Sequence, residues 1–291
     1  LSYIKSVAFK MLGRRTAYRL GRALYLYARG DIANDMRKNG EMIIQSCVLA
    51  AWKKSLGNQR NLIIFDVGAN IGDWSTAVLE QLKDHGIEKD VLLFAFEPVP
   101  STAAELRRNL RGNHPCLHIE ELALSGSSGT AEIYLAGPTA GTNSLYRESA
   151  VVTQEVVKID LISAADFCGA RGIPHVHLLK CDTEGHDMEV IRGALPLLID
   201  ERISVLQFEY NHCWVFSRSF LRDVFLAIDS LPYKVAKLQA NHVLVFDKWH
   251  PELDKFFEGN YALIHAGALP WFTVRQAAFD KFNTLSVKII R

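Results

Sequence analysis

From residue 61 onward, short apolar runs alternate with segments in which apolar residues recur at helical spacing. The apolar runs predict five strands, at residues 62–67, 91–96, 117–120, 176–181 and 203–208. The segments between and after them predict helices at residues 74–83, 101–110, 188–198 and 220–231. Alternation of this kind is typical of a mostly parallel α/β sheet that is covered by helices on both faces.

Two further regions complete the predicted fold. Residues 233–238 and 242–246 predict an antiparallel hairpin at the end of the sheet, and residues 131–161 contain two strand-like runs around the glycine-rich AGPTAGTNS. We interpret residues 131–161 as an insertion or lid near the site. The prediction is a Rossmann-like sheet with a C-terminal antiparallel hairpin and three regions: an N-terminal helical extension (1–60), a ligand-binding domain (61–250) and a C-terminal extension packed on the core (251–291).

The N-terminal segment differs from the rest of the chain in charge. Before residue 39 there are nine basic and two acidic residues. Apolar residues at helical spacing accompany them: Ile4, Val7, Ala8, Met11 and Leu12. The favoured interpretation is a helix whose apolar stripe packs on the core, and the alternative is a helix that lies on an anionic membrane surface as a peripheral contact.

Composition excludes several classes of protein. With 291 residues, 49% of them hydrophobic, the chain can bury a full core. Its 33 Lys and Arg against 32 Asp and Glu argue against a nucleic-acid partner. The five cysteines are scattered and lack a C-x-x-C pair, which disfavours a disulfide framework or a zinc site. The default is a reduced, cytoplasmic protein, with membrane association through the N-terminal helix as the alternative.

The first strand ends in the glycine turn of FDVGANIGDWS, and its residues point to a ligand site because ligands bind at the carboxyl ends of parallel strands. A dinucleotide site requires G-x-G-x-x-G, whereas this register gives Gly68, Asn70 and Asp73. Asn tolerates left-handed turn geometry, so the sequence still predicts the turn. It does not predict a pyrophosphate-binding site. The pattern therefore disfavours a nicotinamide-dependent oxidoreductase.

The second strand ends at Glu97, a position where an acid commonly binds the ribose hydroxyls of an adenosine ligand. Asp66 stands beside the glycine turn, and the absence of Lys or Arg there indicates that the rest of the ligand is cationic. S-adenosylmethionine meets both conditions. The plainer alternative is that Asp66 caps the turn and Glu97 a helix start.

Four stretches together resemble one protein family. They are FDVGANIGDWS, FEPVP, HLLKCDTEGHDMEVIRGA and FEYN, with NGE at residues 39–41 as a preceding element. The chain resembles the FkbM family of S-adenosylmethionine-dependent methyltransferases, with a class I methyltransferase fold, over residues 61–211. Cys181, Thr183 and His186-Asp187 depart from the usual residues of the fourth-strand signature. The resemblance implies O-methylation of a hydroxyl on a small-molecule or glycan acceptor such as a sugar, glycolipid or polyketide-type product.

The expected cofactor site follows the strand ends. We expect the methionine half to be held by the first turn and by the end of the fourth strand, the ribose by the FEPVP acid, and adenine by the turn at residues 121–125. The predicted cofactor-binding residues are Asp66, Gly68, Ala69, Asn70, Gly72, Glu97, Pro98, Ala123, Leu124 and Asp182.

The predicted catalytic residues are Asp182, Glu184, His186 and Glu209, which follow the fourth and fifth strands. An aliphatic hydroxyl is about as weak an acid as water, so its proton must leave as the new bond forms. We expect His186 to act as base while Asp182 and Glu209 orient the hydroxyl. In the alternative mechanism, Asp182 and Glu209 hold a divalent cation that lowers the hydroxyl pKa. Another alternative is a non-catalytic methyltransferase-like protein tethered by its N-terminal helix.

Overall fold

The computed structural model describes residues 13–32, 35–55, 61–112, 114–135, 144–146 and 155–289. Its α-helices are α1 (Arg14–Ala28), α2 (Glu41–Ser55), α3 (Asp73–His85), α4 (Pro100–Asn109), α5 (Ala164–Arg171), α6 (Asp187–Ile199) and α7 (Leu221–Ala227). Its strands are β1 (Leu62–Val67), β2 (Val91–Phe96), β3 (Leu117–Glu120), β4 (Ala123–Ser125), β5 (Gly129–Leu135), β6 (Glu155–Ser163), β7 (Val176–Cys181), β8 (Ile203–Tyr210), β9 (Tyr233–Leu238), β10 (Val243–Phe246), β11 (Gly259–His265), β12 (Val274–Phe279) and β13 (Leu285–Ile289).

The core of the fold is a ten-stranded sheet in the order β13-β12-β10-β9-β11-β8-β7-β1-β2-β3. From β3 to β8 every pairing is parallel, which confirms the predicted mostly parallel α/β class. The strand order reverses beside β1, because β2 lies on one side of it and β7 on the other. A reversal of this kind opens a crevice at the carboxyl ends of the strands, where ligands bind.

The continuous apolar runs form the central strands because both faces of the sheet are covered. Every residue of β1 is buried, and alternate side chains enter different clusters. Phe65 packs with Phe96 and Phe167 on one face. Ile64 joins a second cluster that contains Trp52 of α2. A strand covered on both faces lacks the alternation of apolar and polar residues. It was therefore predicted from its length and its flanking residues.

The C-terminal half contains more strands than the sequence pattern indicated. The predicted hairpin is confirmed as the antiparallel pair β9 and β10. However, β11 lies between β8 and β9 and pairs antiparallel with both, so the hairpin is not next to the fifth predicted strand. The segment expected as an extension thus supplies strands of the sheet itself. The helix predicted at residues 220–231 ends at Ala227, because the chain turns at Ser230 (φ 72°) ahead of Pro232.

A second, three-stranded sheet in the order β4-β6-β5 lies between β3 and α5 in the chain. β5 and β6 are antiparallel and correspond to the two strand-like runs of residues 131–161. Residues 136–143 and 147–154 of this region lie outside the described residues, and a lid function stays a prediction. The sheet has its own small apolar cluster, in which Ala123 of β4, Ile133 of β5 and Ile159 of β6 pack with Val99.

Among the described residues, two helices precede the sheet. α2 buries Ile44, Val48 and Trp52 against the core, whereas no residue of α1 is buried. The predicted stripe from Ile4 to Leu12 lies outside the described residues. Across the part of the chain that the structure describes, no helix is both long enough and apolar enough to cross a membrane.

Candidate active site at the carboxyl ends of the strands

The glycine turn after β1 brings the ends of three strands together. The backbone N–H groups of Gly68 and Ala69 both donate to Phe96 O at the end of β2 (3.1 and 3.0 Å). Gly68 has φ 75°, and a Cβ added there would lie 2.0 Å from the carbonyl oxygen of Asp182 after β7. Asn70 also adopts a left-handed conformation (φ 48°), as its residue type predicted. Only glycine at residue 68 lets the two loops approach this closely.

Asp66 is fully buried beneath this turn and does not line the cavity. Its carboxylate accepts a hydrogen bond from Ser75 Oγ (2.7 Å) and pairs with Lys180 Nζ (3.2 Å). The premise that no basic side chain lies beside Asp66 is therefore wrong, because β7 brings Lys180 to it from across the sheet. Burial lowers the pKa of Lys180, but Asp66, Asp182 and Glu41 raise it further, so the ammonium stays charged.

Glu97 is held at the floor of the site by the backbone of two neighbouring turns. Its Oε2 accepts from the N–H of Asn70 (3.0 Å) and its Oε1 from the N–H of Val99 (3.0 Å). Each carboxylate oxygen has a second lone pair, so both remain able to accept from a ligand. Burial raises the pKa of Glu97 to about 7, against the lowering effect of the two backbone donors.

A cavity with about 730 Å³ of empty space opens above these residues. Seven of the ten predicted cofactor residues line it: Gly68, Asn70, Glu97, Pro98, Ala123, Leu124 and Asp182. Asp66, Ala69 and Gly72 do not. Gly72 instead lets α3 approach α4, since a Cβ there would lie 2.7 Å from Leu106 Cδ1.

The three predicted catalytic acids converge; Asp182 and Glu184 line the cavity, whereas Glu209 is not among its lining residues. One oxygen from each of Asp182, Glu184 and Glu209 lies within 4.8 Å of the others. Burial, together with the charge of Asp182, raises the pKa of Glu184 to about 7 and that of Glu209 well above its usual range. Glu184 has a left-handed backbone (φ 51°), which is uncommon for a non-glycine residue and typical of functional sites.

This cluster favours a cationic ligand. Within the described residues, the cation beside the acid cluster is Lys180, whose Nζ lies 3.6 Å from Asp182 Oδ2. Lys180 also pairs with Asp66, so its charge is shared between two carboxylates. No lysine or arginine is among the described residues that line the cavity. The carboxylate oxygens suit a divalent cation as well as a sulfonium or ammonium group, because hard cations prefer oxygen ligands.

His186 lies at the cavity wall, but both of its ring nitrogens have partners. Nε2 is 2.9 Å from Ser125 Oγ, and Nδ1 is 3.2 Å from the hydroxyl of Tyr146. Burial lowers the pKa of His186 to about 4, so its imidazole is neutral at physiological pH. In this arrangement the side chain links the end of β4 to Tyr146 rather than presenting a free nitrogen.

The apolar wall of the cavity was not predicted from the sequence. This wall is formed by Leu122, Ile133, Leu145 and Ile159 from the three-stranded sheet and its neighbours. These residues carry no motif. The sequence indicated only that an insertion interrupts the alternation of strands and helices between β3 and β7. Apolar side chains of this kind can cover the face of a flat ligand group.

Comparison with known proteins gives a family match and several curated relatives. The sequence model of the methyltransferase FkbM domain matches residues 66–235. The hexuronic acid methyltransferase AglP of Haloferax volcanii is 29% identical over 136 residues, 47% of this chain and 51% of that protein. The 31-O-demethyl-FK506 methyltransferase FkbM of Streptomyces tacrolimicus is 27% identical over 159 residues, 45% of this chain and 59% of that protein. The chain thus matches between about half and three fifths of these relatives.

Solved structures with detectable likeness include two methyltransferases. The DszA carbon methyltransferase gives a TM-score of 0.44 at 13% identity, covering 78% of this chain and 53% of that chain. The METTL16 methyltransferase domain gives a TM-score of 0.41 at 10% identity, covering 76% of this chain and 65% of that chain.

Proposed function

Because this chain belongs to the FkbM methyltransferase family, we propose that it transfers the methyl group of S-adenosylmethionine to a hydroxyl of a sugar, glycolipid or polyketide-type natural product. The observation that carries the proposal is that one cavity is lined both by Glu97 and by Asp182 and Glu184 of the acid cluster. The relatives named for hexuronic acid and for 31-O-demethyl-FK506 support this acceptor class.

The proposed cofactor position follows from charge and shape. Glu97 accepts hydrogen bonds from the two ribose hydroxyls, while the apolar wall with Ala123 and Leu124 covers the adenine. Gly68 and Asn70 leave room for the methionine half, whose ammonium and sulfonium groups face Asp182 and Glu184. S-adenosylmethionine supplies a methyl group activated by the positive sulfur.

The acidity of the site also constrains the acceptor. A hexuronic acid carries both hydroxyl groups and a carboxylate, and either one is a chemically reasonable methyl acceptor. An anionic carboxylate would have to enter beside the charge of Asp182 and the ionised fraction of Glu184, which repel it. A neutral hydroxyl instead donates a hydrogen bond to these carboxylates. We therefore propose that the product is a methyl ether rather than a methyl ester.

In the proposed reaction, the acceptor oxygen forms a bond to the methyl carbon as the carbon–sulfur bond breaks, and the hydroxyl proton passes to a protein base. Glu184 is the best candidate base because its pKa of about 7 is close to the working pH. His186 would first have to release Ser125 or Tyr146. Asp182 and Glu209 orient the hydroxyl, or hold a divalent cation that lowers its pKa.

The test incubates the protein with methyl-labelled S-adenosylmethionine and a panel of glycans, glycolipids and polyketide glycosides. We expect label in a hydroxylated acceptor, retained after mild alkali because ethers resist the hydrolysis that releases methanol from esters. Asp182→Asn is the matched isosteric control and should label little. Label that alkali removes would reject the hydroxyl assignment, and the absence of label from every member of the panel would reject the acceptor class.

Chelation separates the two mechanisms. If a carboxylate alone accepts the proton, EDTA leaves turnover unchanged and Glu184→Gln slows it by roughly 10²- to 10⁴-fold, whereas His186→Ala keeps most of the rate. Loss of turnover in EDTA, restored by Mg²⁺ but not by Na⁺, would assign the cluster to a metal. A larger loss in His186→Ala than in Glu184→Gln would return the histidine to the role of base.

A further inference from the structure

Helix α1 is amphipathic in sequence yet contributes no buried side chain to the fold. Its sequence, RRTAYRLGRALYLYA, contains four arginines and no acidic residue. The whole chain is almost neutral, with 33 basic and 32 acidic side chains, so this helix concentrates positive charge. A helix of this composition either has a partner for its apolar face or exposes that face to water at a cost.

One face of α1 attaches the helix to the body of the protein. Tyr25 donates a hydrogen bond to Glu252, and its ring meets Phe257 edge-on at 5.9 Å. Arg29, which follows the last turn, is buried and bonded to Asp31 (2.8 Å) and Glu252 (3.2 Å). Arg22 lies over the Phe257 ring at 5.6 Å. Residues 22, 25 and 29 are three and four apart, so they share this face.

The opposite face of α1 is apolar and points away from the body. Leu20, Leu24 and Tyr27 are four and three residues apart and therefore form one stripe. Consecutive helical residues are separated by about 100°, which places this stripe roughly opposite the face of Tyr25 and Arg29. The exposed fractions are 49% for Leu20, 60% for Leu24 and 84% for Tyr27. The apolar stripe is thus available for a partner outside the described residues.

The charges around the stripe indicate the chemistry of that partner. Arg19 and Arg14 lie about 100° to either side of it, with Arg15 behind them, and no carboxylate of the helix offsets them. An apolar stripe flanked by arginines is complementary to the interface of an anionic bilayer: the stripe enters the acyl boundary, and the long cationic side chains extend to the headgroups. Tyr27, as an aromatic residue with a polar end, suits that depth.

We propose that α1 docks the protein on an anionic lipid surface through Leu20, Leu24 and Tyr27, while Tyr25 and Arg29 hold the catalytic body to the helix. This binding is separate from methyl transfer and does not depend on the acceptor. It predicts lipid affinity that requires both the apolar stripe and the arginines, and that weakens with salt because exposed charges are screened.

The test measures co-flotation of the full chain with phosphatidylcholine vesicles, with and without about one third phosphatidylglycerol. Wild type should bind the anionic vesicles at low salt, and Leu20→Glu/Leu24→Glu should reduce the bound fraction at least about tenfold. Arg15→Gln/Arg19→Gln should weaken binding and flatten its salt dependence. The matched control is Leu226→Glu on α7, which alters an equally exposed leucine (59%) and should bind as wild type does.

Three outcomes would overturn the proposal. In the first, wild type binds both vesicle types equally little. In the second, the α1 leucine variant binds anionic vesicles as well as wild type does. In the third, sedimentation velocity would show a dimer that the leucine variant loses while vesicles remain unbound, which assigns the stripe to a second copy of the chain. Unchanged thermal unfolding of each variant confirms that the body remains folded.

Discussion

At the scale of single residues, the cavity divides its acids between two tasks. Glu97 is fixed by two backbone N–H groups and faces the position proposed for the ribose, whereas Asp182 belongs to the cluster proposed to face the sulfonium. The ribose is the same in S-adenosylmethionine and its demethylated product, while the positive charge on sulfur is lost with the methyl group. The two ligands therefore distinguish the two tasks.

We predict that Glu97→Ala weakens both ligands alike, by roughly 10²- to 10⁴-fold, because it removes two hydrogen bonds and each hydrogen bond to a charged group is worth about 1.5–3 kcal/mol. Asp182→Asn should weaken S-adenosylmethionine more than the demethylated product, because it removes charge and little volume. Isothermal titration calorimetry of the two ligands against each variant measures this. Equal losses in Asp182→Asn, or a preference for one ligand in Glu97→Ala, would contradict the assignment.

The strand-end motifs predicted part of this site, and local sequence explains the limit. Asp182, Glu184 and Glu97 follow strands that the apolar runs define, so their convergence could be predicted. The role of Lys180 could not, because it pairs with Asp66 across two strands that lie far apart in the chain. The partners of His186 were equally hidden, since Ser125 and Tyr146 come from the region whose fold the pattern did not specify.

At the scale of elements, the turn after β1 and the loop after β7 pack at backbone contact distance. The N–H of Asp182 donates a hydrogen bond to Val67 O (3.1 Å). A Cβ added to Gly68 would lie 2.0 Å from the carbonyl oxygen of Asp182. The strand order alone brings β1 beside β7. The glycine sets how closely their loops approach, and so defines the shape of the cavity.

Gly68→Ala should therefore lower the free energy of unfolding far more than the usual cost of placing alanine in a left-handed conformation. The matched control is Gly86→Ala, where φ is 65° and no atom lies within 4 Å of the added Cβ. We expect about 1–2 kcal/mol for Gly86→Ala and more than about 4 kcal/mol for Gly68→Ala, a cost reserved for severe clashes. Denaturant unfolding of both variants checks the difference. Similar losses would mean that the two loops separate easily.

The strands and α-helices between residues 61 and 120 were predicted to within two residues, whereas β4, α5, β11, β12 and β13 were missed. β1 and β7 are buried on both faces, and their sequences LIIFDV and VHLLKC are mostly apolar runs. β12 and β13 lie at the sheet edge with mostly exposed or half-exposed residues, so their sequences lack such a run. β11 is apolar, but its place between β8 and β9 depends on pairing with residues distant in sequence.

At the scale of the whole molecule, the buried acids link stability to pH. Burial and mutual repulsion raise the pKa of Glu97 and Glu184 to about 7, that of Asp187 to about 6, and that of Glu209 well above its usual range. These groups titrate near 4 in the unfolded chain, so the folded state binds more protons between about pH 4 and 7. Stability therefore falls as pH rises through that window.

We predict that the melting temperature of the ligand-free protein falls by several degrees between about pH 5 and 8. His186 acts in the opposite direction up to about pH 6.5, because its pKa of about 4 is below the unfolded value, but it is one group against four acids. S-adenosylmethionine should flatten the profile, since its positive charges favour the ionised acids. Calorimetric melting with and without the ligand tests this, and a rise in melting temperature across the same range would contradict it.

The position of β11 also has a consequence for synthesis on the ribosome. β8 and β9 leave the exit tunnel well before Gly259–His265, yet each pairs in the finished sheet with β11 and not with the other. Until that segment emerges, both strands carry unsatisfied backbone edges, which invite wrong pairing within the nascent chain or with a neighbouring one. The sheet thus closes late, and the growing chain most needs a chaperone in the interval between the emergence of Leu238 from the tunnel and that of His265.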